Sequence, residues 1–370
     1  MKRIEINLDN AATTKPDPKV IKAVCDCMKT YDANPSSPYS AAGKSRREIR
    51  LTKKLLSQII NCDHSEIIFT SGGTESNNLA IRQAAGKHVI LSAIEHKSVL
   101  NAAKNQGCQI SLVNPDLSGA INPDDVKELI RSDTALISVQ FANNETGVLQ
   151  RVAEIGDIAR RERILFHCDA VQAFGHVPVD VDKLNVDLLS ASAHKLYGPL
   201  GIGFLYMRKG ITAKPLILGG KQENNLRAGT ENIPAISGFR VACELAAEDM
   251  DIRSKKLYDY FNELITRLKQ IDTNISVISE NTPCLPGVRM VHLPGIDSER
   301  TIATLDLKGI RVSGGAACSS SDLMGSHVLS AMGISEMKSR EIIRISPGRY
   351  NDISEINYVT DAINSLYEIH

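Results

Sequence analysis

Four segments of the sequence place polar or ionisable side chains directly after a short apolar run. In the first, Ile-Ile-Phe-Thr at 67–70 leads through Gly72 and Gly73 into a helix-like stretch that begins with Thr74. Free backbone N–H groups at a helix N-terminus, together with the Thr74 hydroxyl, would form a phosphate site. An ordinary capped helix explains the same segment equally well, so this motif alone leaves both interpretations open.

Asp169 and Lys195 each follow a run that predicts a buried strand. A buried carboxylate needs a positive partner, and no Arg or Lys is near Asp169 in sequence. A protonated cofactor nitrogen or a distant arginine would supply that partner. Most lysines are solvated, but Lys195, at the carboxyl end of a strand in the same sheet as a phosphate loop, is placed for Schiff-base chemistry with a carbonyl cofactor.

His96 follows the fourth run, which ends near Ser92. An imidazole at this point could stack on a planar ring and move protons, or it could cap a helix. Together, a phosphate loop, a buried acid for a ring nitrogen and a Schiff-base lysine predict pyridoxal phosphate. This cofactor acts as an electron sink for carbanions of amino acids.

Cys318 differs from the other seven cysteines because small and polar residues surround it at 313–322. Such a segment predicts a mobile surface loop that displays one thiol, and reactive thiols are accessible ones. Cys25 and Cys27 lie on a predicted helix, where side chains two residues apart point about 200° from each other, so a shared metal is not expected. We assign the seven to packing, chiefly as buried hydrophobes, or to incidental positions: Cys25, Cys27, Cys62, Cys108, Cys168, Cys243 and Cys284.

The elements that must position these residues alternate between strands and helices. Buried strands are predicted at 67–70, 88–92, 109–113, 135–139, 163–167, 187–191 and 202–206, with helical patterns between several of them. This order predicts an α/β fold with a mostly parallel central sheet covered on both faces. A long helical stretch at 234–268 and strands near 275–278, 288–292 and 342–346 predict a smaller α+β C-terminal domain. We therefore expect a large cofactor-binding domain at 15–250 and a small domain formed by 1–14 and 251–370.

Composition excludes several classes of protein. The 370 residues include 43 basic and 43 acidic side chains, so no net charge marks a surface for nucleic acid or for an anionic membrane. No apolar run approaches the ~18 residues of a membrane span, and the amino terminus lacks a signal-peptide pattern. Eight dilute cysteines exclude a disulfide scaffold and favour the reducing cytoplasm, and no metal site is expected.

The order of the motifs resembles that of the cysteine desulfurases, pyridoxal-phosphate transferases of fold type I in the class-V aminotransferase superfamily. The matching segments run from residue 8 to about 350: 8–14, 34–37, 71–78, 95–97, 143–147, 169–172, 192–199, 227–230, the Cys318 segment and 344–346. The Cys318 segment looks like the long loop of the desulfurases that serve iron–sulfur assembly. One departure is Tyr39, where many relatives carry histidine.

The resemblance implies a role for each matching residue. Lys195 would hold the cofactor and move the substrate's Cα proton, His96 would stack on the ring and assist, and Cys318 would take the sulfur as a persulfide. Asp169 would pair with the ring nitrogen, Gln172 with the ring oxygen, and Asn144 would lie beside ring and substrate. The phosphate would be held by Gly73, Thr74, Ser192 and His194, and by Thr230 from the partner subunit of a homodimer. Arg344 and Asn34 would bind the substrate carboxylate, with Arg349 as a weaker candidate.

These roles predict a cytoplasmic enzyme that converts L-cysteine to L-alanine and passes the sulfur to a transient protein acceptor, such as an iron–sulfur scaffold. A selenocysteine lyase or a cysteine lyase on the same fold is the alternative among enzymes. From a different class, a catalytically silent sulfur carrier or scaffold protein is a further alternative, although the intact lysine, aspartate and cysteine argue against it.

Overall fold

The computed structural model describes residues 5–314 and 325–368. The strands are β1 (Ile6–Asn7), β2 (Ile67–Thr70), β3 (His88–Ser92), β4 (Gln109–Val113), β5 (Thr134–Ser138), β6 (Leu165–Asp169), β7 (Leu188–Ser192), β8 (Gly203–Met207), β9 (Ser276–Val277), β10 (Arg289–His292), β11 (Ile310–Arg311) and β12 (Ile342–Ile345). The α-helices are α1 (Pro18–Thr30), α2 (Ala42–Ile60), α3 (Gly73–Arg82), α4 (Lys97–Asn105), α5 (Pro123–Glu128), α6 (Val152–Glu162), α7 (Gln222–Asn225), α8 (Ile233–Ile271), α9 (Ser298–Leu307), α10 (His327–Ala331), α11 (Glu336–Ser339) and α12 (Ile356–Tyr367).

Seven strands form the central sheet, in the order β2-β8-β7-β6-β5-β3-β4. β8 is antiparallel to its neighbours β2 and β7, and the other pairs are parallel. Strands β3, β7 and β8 are buried at every residue, as expected when helices cover both faces of a sheet. The carboxyl ends of β2, β7, β6, β5 and β3 therefore meet at one edge, and the prediction of a mostly parallel sheet is confirmed.

Local sequence signals account for several element boundaries. Asn122 caps α5 by accepting a hydrogen bond from the N–H of Asp124, and Pro123 occupies the first helical position. β6 begins two residues later than the predicted strand at 163–167. The reason is Arg163, which ends α6 in a left-handed conformation with φ of 57° and so cannot begin an extended segment. The strand ends at Asp169.

The C-terminal part of the chain has its own hydrophobic core and its own sheets. β12, β10 and β9 form an antiparallel sheet, while β1 pairs with β11 in parallel. Along the single helix α8, buried residues from Ile233 to Ala246 pack in the core of the central sheet, and those from Tyr260 to Leu268 pack in the second core. This change of core supports a domain boundary near residue 250, and the pairing of β1 supports placing 1–14 in the small domain. We retain that division as a proposal.

All seven cysteines in the described part of the chain are free thiols. Cys27 is buried and Cys25 is exposed, as their positions on opposite sides of α1 predict, and Cys168 and Cys243 are buried. Cys108 is only partly buried, because it lies between α4 and β4, an edge strand of the sheet. Cys318 lies outside the described residues. Within 5–314 and 325–368, no helix combines the length and apolar character needed to cross a membrane.

Candidate active site

The carboxyl edge of the central sheet opens into a cavity of about 360 Å³. Ten of the residues predicted from the sequence to act there line it: Gly73, Thr74, His96, Asn144, Asp169, Gln172, Ser192, His194, Lys195 and Arg344. Two of them, Asp169 and Ser192, end strands of the central sheet, seven follow such strands, and Arg344 comes from β12 in the C-terminal part of the chain. The cavity therefore lies between the two cores, where parts of the chain distant in sequence meet.

The predicted phosphate loop turns from β2 into α3 beside this cavity. Because α3 begins at Gly73, the N–H groups of its first turn have no partner inside the helix. A Cβ atom on Gly73 would lie 2.5 Å from Cγ2 of Val171, so the loop packs too closely on that side chain for a larger residue. Burial, and then the charge of Lys195, lower the pKa of His194 to about 4, so its imidazole is neutral. The free N–H groups at the start of α3 suit a phosphate group.

Asp169 is 6% exposed and is held by two hydrogen-bond donors. The side-chain amide of Asn77 donates to Oδ2 at 2.7 Å, and the N–H of Val171 donates to Oδ1 at 2.9 Å. Among the described residues, no lysine or arginine forms an ion pair with this carboxyl group. The alternative explanation for Asp169, a distant arginine, therefore finds no support in the described part of the chain, and a protonated ring nitrogen fits the position.

Lys195 stands in a short 3-10 helix, Ala193–Lys195, directly after β7. Its Nζ donates to the carbonyl oxygens of Ala11 and Ala12, at 2.7 Å each. Gln172 donates to the same Ala11 oxygen at 2.9 Å. The N-terminal segment thus orients two of the predicted cofactor-binding side chains, which the sequence alone did not indicate.

His96 caps a helix, which is one of the two interpretations that the sequence left open, and it also lies at the cavity. Its Nδ1 accepts a hydrogen bond from the N–H of Ser98 at 3.1 Å and so caps α4, while its ring lines the cavity. Burial lowers the pKa of His96. A neutral imidazole is the form that can stack on a planar ring and take up a proton.

Arg344 is 1% exposed, and its side chain is held by the N-terminal segment and by the segment that follows β5. Its Nη2 forms an ion pair with Oδ1 of Asp9 at 2.7 Å, and its Nη1 donates to the carbonyl oxygen of Asn144 at 2.8 Å. Among the described residues, its Nε has no hydrogen-bond partner. A buried guanidinium with a donor to spare, lining a cavity, suits a carboxylate ligand.

Three predicted residues are not brought into this cavity. Asn34 is exposed, and its side chain accepts from the N–H of Ser36 at 2.9 Å. Thr230 is exposed and does not line the cavity of its own chain. Arg349, the weaker candidate, forms ion pairs with Asp17 and Asp249 elsewhere. The roles of Asn34 and Thr230, like that of Cys318 outside the described residues, stay predictions.

Sequence reasoning missed Asn77, Ser98 and Asp9, which contact the predicted residues. Asn77 falls within the quoted motif at 71–78 and Asp9 within 8–14, but neither received a role. Asn77 is 92 positions from Asp169, and Asp9 is 335 positions from Arg344. No local pattern indicates contacts over such separations, and only an unexplained polar residue beside a motif could have drawn attention to them.

Comparison with known proteins identifies the family. The family described as "Aminotransferase class-V" matches residues 6–359. The chain belongs to the aminotransferase class-V family. The cysteine desulfurase IscS of Dictyoglomus turgidum is 42% identical, with 100% of this chain and 95% of the relative covered.

Two solved structures agree with this assignment. A NifS-like protein from Rickettsia africae is 32% identical with a TM-score of 0.91, covering 99% of this chain and 100% of its own. SspA, solved in complex with cysteine, is 34% identical with a TM-score of 0.82, covering 94% and 100%. These findings confirm the predicted fold and the prediction that the chain is an enzyme of this class-V family.

The residues of this class-V chain fit the cofactor of its fold, pyridoxal phosphate. Asp169 is a buried acid without a cationic partner among the described residues, Lys195 supplies an amine at the cavity, and α3 begins with a glycine packed against Val171. The donors and the acid thus match the charged groups of the cofactor.

Proposed function

We propose that this chain is a cysteine desulfurase, which uses pyridoxal phosphate to convert L-cysteine to L-alanine and moves the sulfur to Cys318. The observation that carries the proposal is the single cavity in which Lys195, Asp169, His96 and Arg344 meet. The names of the relatives, which include cysteine desulfurase IscS at 40% identity in Methanosarcina thermophila, support the same activity.

Arg344 is the residue that recognises the substrate as an amino acid. Its fixed pairs with Asp9 and the Asn144 carbonyl hold the guanidinium in one orientation, so little side-chain entropy remains to be lost on binding. The unpaired Nε offers an N–H to the substrate carboxylate. Restoring a partner to this buried donor favours binding.

The proton transfers fall to Lys195 and His96. When bound, pyridoxal phosphate supplies an electron sink that stabilises negative charge at the substrate's Cα. The Nζ of Lys195 takes the Cα proton, and the carbonyl oxygens of Ala11 and Ala12 steady the side chain that moves it. Burial lowers the pKa of His96, so its neutral ring is able to stack on the cofactor ring and assist the transfer. Asp169 would keep the nitrogen of the cofactor ring protonated.

Sulfur transfer is assigned to Cys318. The segment that contains it lies between Ser313, which exchanges backbone hydrogen bonds with Arg344, and His327, whose Nε2 lies 3.0 Å from the Glu95 carbonyl oxygen. Both ends of the segment are thus fixed beside cavity residues. The Cys318 thiolate attacks the substrate sulfur and the C–S bond breaks, so that L-cysteine and the thiol yield L-alanine and a persulfide with no outside oxidant.

The test is incubation of the purified protein with L-cysteine, followed by measurement of alanine and of the mass of the peptide that contains residue 318. We expect steady alanine release and one added sulfur atom on that peptide. C318A should lose the added mass and at least about a hundredfold in rate, whereas C25A, which removes an exposed thiol on α1, should keep both.

Undiminished alanine production by C318A would contradict the persulfide step. Turnover of L-selenocysteine without turnover of L-cysteine would favour the lyase alternative, and a protein that binds no pyridoxal phosphate would favour the silent carrier.

We also propose that the enzyme is a cytoplasmic homodimer that passes sulfur to a protein acceptor such as an iron–sulfur scaffold. The free thiols agree with a reducing compartment. The exposed side chains of Ile217 and Leu218 lie beside the segment that carries Thr230, since Ile217 and Arg227 form a parallel bridge. A second copy would cover this apolar surface and receive Thr230 into its phosphate site.

Sedimentation of the wild-type protein and of L218E tests the dimer. The wild type should sediment as a dimer. L218E should dissociate into monomers at higher protein concentrations than the wild type does, and its cofactor affinity should be lower at low protein concentration. A monomeric wild type with full cofactor affinity would contradict the shared site.

A further inference from the structure

A chain of hydrogen bonds beside the cavity links Asp169 to His96 through two residues without an assigned role, Asn77 and Ser98. The side-chain nitrogen of Asn77 lies 2.7 Å from Oδ2 of Asp169 and 2.9 Å from Oγ of Ser98. Oγ of Ser98 in turn lies 2.7 Å from Nδ1 of His96. All four residues line the same cavity.

The direction of each hydrogen bond in this chain follows from Asp169. A carboxylate only accepts, so Asn77 must turn its NH₂ group toward it, and the second N–H of that group is then given to Ser98. Because Ser98 Oγ accepts from Asn77, its own hydroxyl hydrogen is available for Nδ1 of His96. The N–H of Ser98 donates to the same Nδ1 at 3.1 Å. Two donors on Nδ1 require the neutral ring to carry its proton on Nε2.

The amide of Asn77 is oriented at a cost. Its Oδ1 is buried and has no hydrogen-bond partner within 5–314 and 325–368, and the side chain is 1% exposed. Rotating the amide would give Oδ1 no better partner, because it would then face the carboxylate of Asp169. A buried polar atom left unpaired in this way indicates that the two N–H contacts matter more than the satisfaction of the oxygen.

We propose that Asn77 and Ser98 are positioning residues that couple Asp169 to His96 and hold His96 as the tautomer with its proton on Nε2. One continuous chain of hydrogen bonds thereby orients both His96, which would stack on the cofactor ring, and Asp169, which would pair with the ring nitrogen. The part of this inference that concerns the cofactor rests on the proposed function, whereas the tautomer is a property of the protein itself.

The test reads the tautomer directly, by nitrogen NMR of the full-length protein labelled with ¹⁵N-histidine and freed of cofactor, with H96Q used to assign the signals. In the wild type we expect the Nε2–H form of His96. In S98A and in N77A, the chemical shifts of the two ring nitrogens should move toward the average of the two tautomers. S98T should keep the wild-type spectrum because threonine keeps the hydroxyl. N105A, which removes an exposed amide at the end of α4, should leave the signals unchanged.

The second readout is the dissociation constant of pyridoxal phosphate, which should rise about tenfold in N77A because Asp169 loses a charge-assisted donor, and should not rise in N105A. An Nδ1–H form in the wild type, or a His96 signal that does not move in S98A, would overturn the proposal. If N77A does not fold, S98A and S98T still decide it. Because the tautomer is read without cofactor or substrate, a failed desulfurase assay would not be mistaken for failure of this inference.

Discussion

The Nζ atom of Lys195 lies 2.7 Å from the carbonyl oxygen of Ala12, although 183 residues separate them. Ala11 supplies a second carbonyl oxygen at the same distance. Carbonyl oxygens only accept hydrogen bonds, so the amine is oriented by two fixed acceptors before any ligand is present. The N-terminal segment, whose strand β1 pairs with β11, thus orients a residue that follows β7 of the central sheet.

Replacing Lys195 should abolish covalent attachment of the cofactor. After addition of pyridoxal phosphate and reduction with borohydride, the wild-type peptide that contains residue 195 should gain the mass of the reduced cofactor. K195A should show no adduct on that peptide, while K209A, which changes an exposed lysine after β8, should match the wild type. An adduct on another lysine in the wild type would contradict the assignment.

Packing between Gly73 and Val171 should limit what the phosphate loop tolerates. A Cβ atom at residue 73 would lie 2.5 Å from Val171, so G73A should shift the start of α3, destabilise the protein by about 1–3 kcal/mol and weaken pyridoxal phosphate binding. V171A removes the obstructing methyl groups, so the double variant should recover most of the binding lost by G73A. Equilibrium unfolding and cofactor titration of the four proteins measure this coupling. Strict additivity would mean that the two side chains do not conflict.

Arg344 should affect the KM for L-cysteine more than kcat. R344K keeps a positive charge for Asp9 but loses Nε, so KM should rise about tenfold or more while the fold is retained. R344A leaves Asp9 without its buried partner and should also lower the free energy of unfolding by about 3 kcal/mol. R340K changes an exposed arginine paired with Glu336 and should alter neither quantity. An unchanged KM in R344K would place the carboxylate site elsewhere.

Glu95 should make the free energy of unfolding decrease with rising pH above about pH 5. Burial, and then the charge of Asp169, raise the pKa of Glu95 from 4.5 to about 8. Between these values the folded protein binds a proton that the unfolded chain has lost, so the free energy of unfolding falls by about 1.4 kcal/mol per pH unit as the pH rises, until Glu95 ionises near pH 8.

The matched variant is E95Q, which cannot ionise. Chemical denaturation at several pH values measures the free energy of unfolding of both proteins. The value for E95Q minus that for the wild type should increase from pH 5 to pH 8. The opposite contribution of His167, whose pKa burial lowers to about 4, is the same in both proteins and cancels in the difference. Parallel curves for the two proteins would mean that Glu95 is already ionised at low pH.

Local sequence patterns located most of the elements and most of the site. Apolar runs predicted the strands of the central sheet, and α8 contains the predicted helical stretch at 234–268. β6 begins two residues later than predicted because Arg163 ends α6 in a left-handed conformation. The hydrophobicity of the residues does not indicate this conformation. Residues just after strands, such as Asp169 and Lys195, were recognisable because parallel strands end at one edge.

The sequence by itself determined which side chains are able to do chemistry, because reactivity depends on residue type and on the strand or helix start that precedes it. Only the tertiary structure decided their partners. Asn77 contacts Asp169, and Asp9 contacts Arg344, because strand order in the sheet and the return of the N-terminal segment bring them together. Such contacts depend on how whole elements pack rather than on neighbouring residues, so no local pattern in the chain contains them.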